Sequence, residues 1–407
     1  MKSTVLPSAW LRVRLAGLVA WVVGVQTLEA LATVGLVVTA LSVLPELRRI
    51  AWRGWWPLGA WLGWSLVVPS LTGAFPTGTG VARALDWVAL PLVGYAVWTV
   101  PSRRLLVLAL GVTLALSCLV AGLQHVGAWP PLEAFEPWRW TKLPFERVYE
   151  PVPGSEGRFM AGGLIFHRLK FAHVSALAVV ALAVAGARAG SRRDRWLAWG
   201  LAALATGCVW VFPHARMASL ALLGALLVAV GLLSPRRRLA LGLVALLITA
   251  AVATAVVVDS VRDRLASALT VEGGGHRGEL LASGVRAVES HPLVGVGLGQ
   301  FRPSKFPSAE MPQHVFDNPG KTHNQLLSMA AEVGVPGAVL FCLLLASLAW
   351  RAWKTPDGVL TLSALTLFVG LSLAHDPLFQ PTFSMAIVLA LGAGLRAPAT
   401  RTEGGQT

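Results

Sequence analysis

Three positions in this sequence have the types and settings for acid–base and anion chemistry. His323 stands in "KTHNQLLSMAAEVGVPGAVLF", residues 321–341, where a polar cluster opens an otherwise apolar run. A neutral imidazole can accept a proton, as a general base must. The positive end of a helix macrodipole disfavours the charged form. Thr322 and Gln325 have the spacing of a capping box, which predicts a helix from His323. The alternative role for His323 is simply that of a polar residue at a helix start. Asn324 beside it is a supporting candidate. Gly334 and Pro336 predict an interruption about three turns on, with a membrane-crossing helix beyond. Glu332 shares a face with Gln325, and its expected role is packing against an arginine of a neighbouring helix. An acidic group at such a boundary is otherwise functional.

The anion chemistry rests on Arg216 and Arg277. Arg216 opens the run "RMASLALLGALLVAV" after Pro213 and His214, with no carboxylate close by in sequence. Two readings stand: the guanidinium snorkels to a membrane interface, or it binds phosphate bidentately. Arg277 lies in "GGGHRGELLASGVRAVESHPLVGVGLGQF", residues 273–301, next to His276. Leu280, Leu281, Gly284, Val285 and Val288 follow at helical spacing, predicting an amphipathic helix to about Glu289. "HPLVGVGLGQF" lacks the strand–turn–helix context of a nucleotide-binding loop. A further cationic stretch, "GRFMAGGLIFHRLKFAHVSALAVV", holds Arg158, His167, Arg168, Lys170 and His173. It exceeds ordinary anchoring needs and suits one wall of an anionic pocket, with Arg158 and Lys170 as supporting cations. No carboxylate cluster suggests a magnesium site, so neither metal nor cofactor is expected.

The elements that must position these groups are membrane spans. The 407 residues are 55% hydrophobic and 13% charged, against about 25% charged in soluble domains. Mean hydropathy is +0.65. Apolar runs of membrane-crossing length recur throughout. They predict an all-α integral membrane protein of about twelve spans: 15–25, 27–44, 55–71, 84–100, 105–124, 164–186, 196–212, 215–233, 239–258, 324–350, 359–374 and 383–395. The first two are short, and "QTLEA" between them suits either a turn or a kink in one long helix. The basic N-terminus resembles a signal peptide, but without a convincing cleavage site it reads as an uncleaved first helix.

Charge distribution gives the orientation. The loops 1–14, 45–54, 101–104, 187–195, 234–238, 351–357 and 396–407 hold 19 of the 34 Lys and Arg, with only Glu46, Asp194, Asp357 and Glu403 against them. By the positive-inside rule these loops and both termini are cytoplasmic. That explains the net charge of +14 without nucleic acid. The opposite loops include 125–163 and the large, partly helical 259–322, which lies between the ninth and tenth spans and carries seven basic and seven acidic residues. The chain therefore reads as one polytopic domain, 1–407, with two outer loops. Its 17 tryptophans, many near span ends, suit an interfacial belt; Trp138 and Trp140 offer sugar stacking as an alternative. Cys118, Cys208 and Cys342 lie in apolar runs and suggest no disulfide or metal site.

The blocks together resemble the family of O-antigen ligases and polymerases, membrane glycosyltransferases of bacterial envelopes. That family has an arginine at the outer start of a span, then a long periplasmic loop containing Arg and an "HPL.G.G...F" turn. A closing "HNxxL......ExGxxG" follows. Here these read Arg216, Arg277, "HPLVGVGLGQF" and "HNQLLSMAAEVGVPG". Ala215 replaces a serine common in the family, and Lys321-Thr322 replaces the usual proline or histidine before His323. The resemblance implies a multi-pass protein of the bacterial inner membrane with a periplasmic active site. It implies transfer of a glycan from an undecaprenyl-diphosphate carrier, with inversion and without a metal ion, with His323 as base and Arg216 and Arg277 on the diphosphate. The acceptor stays open. Lipid A–core makes the protein a ligase, the favoured reading; another lipid-linked glycan makes it a polymerase, and a protein hydroxyl an oligosaccharyltransferase. A twelve-span transporter is the rival of a different class and would have to use Asp86 and Glu29. The absence of a two-fold sequence repeat and the large outer loop speak against it, and a purely structural subunit leaves the arginines unexplained.

Overall fold

The structure is a computed structural model and describes residues 8–129, 150–152, 154–234, 277–307 and 322–395. Within them the fold is a helical bundle with one small hairpin. The first half comprises α1 (Ser8–Gln26), α2 (Glu29–Val43), α3 (Trp56–Leu71), α4 (Gly78–Val88), α5 (Leu90–Thr99) and α6 (Arg103–His125). The antiparallel strands β1 (Glu150–Pro151) and β2 (Phe159–Met160) follow. The second half comprises α7 (Arg168–Ala187), α8 (Arg192–Val211), α9 (Arg216–Leu233), α10 (Arg277–Ser290), α11 (Gln325–Trp353), α12 (Val359–Ser372) and α13 (Pro381–Ala393). Among the described residues, seven helical segments are long and apolar enough to cross a membrane. All the expected spans except 239–258 fall within the described residues, and each lies on helix. The span 239–258 and parts of both long outer loops lie outside them.

Of two expected boundaries, one is kept and one is corrected. The segment 84–100, read as one span, lies within one apolar stretch long enough to cross a membrane, Gly78–Thr99, in which α4 and α5 meet at Ala89 with helical φ/ψ. Pro91 in the first turn of α5 explains the local irregularity, because it has no N–H to donate to the preceding turn. The sixth span starts at Arg168 rather than 164; a short 3-10 turn, Gly163–Ile165, precedes it. The first pair is resolved as two helices. A Cβ on Gly24 would lie 2.1 Å from the Ala32 nitrogen, and one on Gly35 would lie 2.3 Å from the Trp21 nitrogen. This close backbone approach, the usual device of small residues between membrane helices, makes "QTLEA" the turn of a helical hairpin.

The hub of the bundle is α7, which packs on α1, α6, α8, α9, α12 and α13. Its residues are buried on every side, as befits a helix apolar all round. One end of the bundle carries the basic loops, tied by Arg104–Asp194 at 2.9 Å and Arg188–Asp357 at 3.2 Å. There the fully buried Arg14 donates to Glu46 at 2.6 Å and to the Ser42 carbonyl at 2.8 Å. A buried guanidinium is tolerated only with such partners. The opposite end gathers the starts of α7, α9, α11 and α13, where the candidate site lies.

Candidate functional site

The start of α11 sets the geometry of His323. The helix begins at Gln325, and its cap is Asn324, whose Oδ1 accepts the Leu327 N–H at 3.0 Å. This corrects the expected capping box: asparagine at the cap satisfies the orphan donor directly, so His323 stands outside the first turn. Thr322 instead braces the approach. Its hydroxyl accepts the Asn324 N–H at 3.0 Å and meets the Ser328 hydroxyl at 2.8 Å. Gln325 is buried, and its Oε1 accepts the Leu378 N–H at 3.0 Å, latching the loop after α12 to the start of α11. Replacing Gln325 with alanine leaves that N–H buried and unpaired, a loss of about 1–3 kcal/mol. Thermal unfolding in detergent should report a lower midpoint. An unchanged midpoint would show that the latch contributes nothing.

His323 itself has a left-handed backbone, φ 56°. Among the described residues only Phe166 (φ 54°) and His214 (φ 50°) share this among non-glycines. Each of the three stands two positions before a helix, α7, α9 or α11, that opens at this end. Such conformations cost of order 1–3 kcal/mol and collect at functional sites. Burial holds the His323 imidazole below its ordinary pKa, and the nearby Arg277 charge pushes it further down. The imidazole is therefore neutral and proton-accepting near pH 7.

The charged surroundings separate the expected site residues. Arg277, the first residue of α10, acts on both His323 and His375. Arg216 opens α9 at the same end and is exposed; its charge acts on His214. Arg168 spans the two groups, because its charge acts on both His214 and His375. It is held by Glu150 through two hydrogen bonds, at 2.5 and 3.1 Å. The supporting cations do not join it. Arg158 is exposed next to β2, and the Lys170 ammonium lies 3.9 Å from Glu29. His276 lies outside the described residues.

Glu332 does meet an arginine of another helix. It is buried, and Arg83 of α4 approaches it at 3.4 Å while lying 3.8 Å over the Phe379 ring. The kink of α11 falls at Gly334 (φ 75°), as Gly334 and Pro336 predict. There the helix exposes carbonyls, and the glycine-rich turn takes them. Val296 N–H donates to Ala331 O at 2.9 Å and Gly297 N–H to Glu332 O at 2.8 Å; Val335 N–H donates back to Pro292 O at 2.8 Å. A Cβ on Gly334 would lie 2.1 Å from the Leu293 carbonyl oxygen, so only glycine fits. Beyond the turn, Thr77 N–H donates to Leu298 O at 2.9 Å. The run "HPLVGVGLGQF" thus fastens the loop carrying Arg277 to the start of α4 and the kink of α11.

His375, missed in the sequence, lies at the centre of these groups. It is buried, with its ring centroid 6.4 Å from that of His323 and 5.1 Å from that of His173 on α7. Burial and the positive charge around it hold His375 well below its ordinary pKa. The available signal was "AHDP" at a span end, where polar residues call for explanation.

No curated protein matches the chain. Residues 201–342 match the family model described as O-antigen ligase. The matched stretch contains Arg216, Arg277, His323 and Glu332, whereas Arg168 and His375 fall on either side of it. Over residues 201–342, about a third of its length, the chain is similar to the O-antigen ligase family, and its apolar helices are those of a membrane protein.

Proposed function

We propose that this protein transfers a glycan from an undecaprenyl-diphosphate carrier to an acceptor hydroxyl at the periplasmic face of the bacterial inner membrane. The observation that carries this reading is the placing of Arg277 beside a neutral His323, at an end where Arg168 and Arg216 add positive charge. The acceptor oxygen attacks the anomeric carbon as its proton passes to His323. The bond from that carbon to the diphosphate oxygen breaks on the opposite face, inverting the centre. Arg216 and Arg277 receive the diphosphate dianion, and fixed guanidinium groups stabilise charge that develops on the leaving group. They can serve where other transferases use a metal ion.

Lipid A–core is the favoured acceptor, with another lipid-linked glycan or a protein as alternatives. Deleting the gene and analysing the envelope tests this. A ligase mutant retains long polymer on the carrier, and a polymerase mutant shows single repeats only. Unaltered carrier-linked and surface glycans would remove the transfer reading. The orientation has its own test. In a cysteine-free variant, an impermeant thiol reagent applied to intact cells should label a cysteine placed at 270 and not one at 191. Labelling at 191 would turn the site to the cytoplasm.

A further inference from the structure

Three imidazoles, His173, His375 and His323, follow one another from the buried core towards the end of the bundle where the cations gather. The innermost ring fixes the roles of the others. His173 is fully buried, and its Nδ1 lies 3.1 Å from Gln380 Oε1. An amide oxygen only accepts, so Nδ1 carries the proton, and the Nε2 of neutral His173 is an acceptor. That Nε2 is buried without a partner of its own. His375, 5.1 Å away between centroids, can turn one N–H towards it. A neutral imidazole has one N–H, so its other nitrogen then offers a lone pair. The gap to His323 is 6.4 Å between centroids. A direct N–H···N bond of about 2.9 Å would draw the rings closer; the gap suits hydroxyl oxygen instead. Two neutral acceptor imidazoles, one on each side, match two neighbouring hydroxyls of one sugar.

Resting on the transfer reading above, we propose that His375 is a second acceptor-binding residue: while His323 takes the proton of the attacking hydroxyl, His375 accepts a hydrogen bond from the adjacent hydroxyl. The acceptor is then a sugar diol, and a lone serine or threonine hydroxyl leaves His375 unused. His375 forms and breaks no covalent bond. It sets which hydroxyl faces the anomeric carbon.

The experiment uses the full-length protein in reconstituted membranes, with carrier-linked glycan and envelope glycolipids from a strain lacking the gene. Glycolipids are supplied untreated or after periodate and borohydride, which open neighbouring diols. The wild type should transfer to untreated glycolipid and lose at least about tenfold on treated glycolipid. His375→Ala should transfer about 5–10-fold more slowly to untreated glycolipid, the scale of one lost hydrogen bond, and treatment should cost it less than about threefold more. His375→Phe keeps a ring for packing without either nitrogen and should behave like the alanine variant; it decides the matter if alanine fails to fold, as judged by carrier binding. Equal fractional losses in wild type and variants would overturn the proposal, as would a wild type indifferent to periodate. Transfer to envelope proteins but not to glycolipids would overturn the diol subsite alone. No transfer to either would overturn the glycan-transfer reading and the subsite with it.

Discussion

Replacing His323 with alanine should lower glycan transfer by about 10²–10⁴-fold, the usual cost of losing a positioned general base. The carrier should still bind, because the arginines remain. The protein should still insert and fold, because the cap of α11 belongs to Asn324 and the latch to Gln325. The measurement is transfer in reconstituted membranes with carrier binding alongside. Near-normal transfer would reduce His323 to a polar residue at a helix start, and the base would have to be sought elsewhere. Loss of both transfer and carrier binding would mean that the ring holds the site together.

Removing Arg277 should cost about 10²–10³-fold, the scale for losing one donor that stabilises developing negative charge. It should also move the pH profile. Arg277 and burial both hold His323 below its ordinary pKa. Without the guanidinium that pKa rises towards its ordinary value, still held down by burial. A base works only when unprotonated, so the acid limb of the rate profile shifts to higher pH in Arg277→Ala. Arg277→Lys keeps the charge and loses the planar fork. It should leave the acid limb near that of the wild type while the rate above it still falls. An unmoved limb in the alanine variant would separate Arg277 from His323, and a lysine variant at full rate would deny a bidentate role.

The helical, membrane-crossing character of the chain was legible because an apolar run of bilayer length has few other uses, and seven described segments have that length and apolarity. The kink of α11 was legible from Gly334 and Pro336. The irregularity between α4 and α5 has its sign in Pro91 and leaves the crossing segment intact. The cationic wall was harder to read. Lys170 lies two residues from Arg168, about 200° around the helix, so composition placed both at the site while geometry sent one to Glu29 and the other towards His375. The juxtaposition of Arg277 with His323 joins residues 46 apart through a turn whose docking is made by backbone groups. Only the family resemblance gave it in advance. His375 was hidden because nothing in "AHDP" tells which helix ends it will face.

Glycine would occupy positions 166, 214 and 323 without steric penalty. The chain instead keeps a phenylalanine and two histidines there, all in left-handed backbone. Each position carries a backbone cost that glycine would not, offset at Phe166 by a ring only 4% exposed, and the conformations persist because helices elsewhere over-determine the bundle. At the mouth of α11, stability and the proposed activity pull in opposite directions. A redesign of this chain guided by thermostability alone would keep Phe166 for its burial but try glycine at the two histidines, and His323, the proposed base, would be among the first side chains lost.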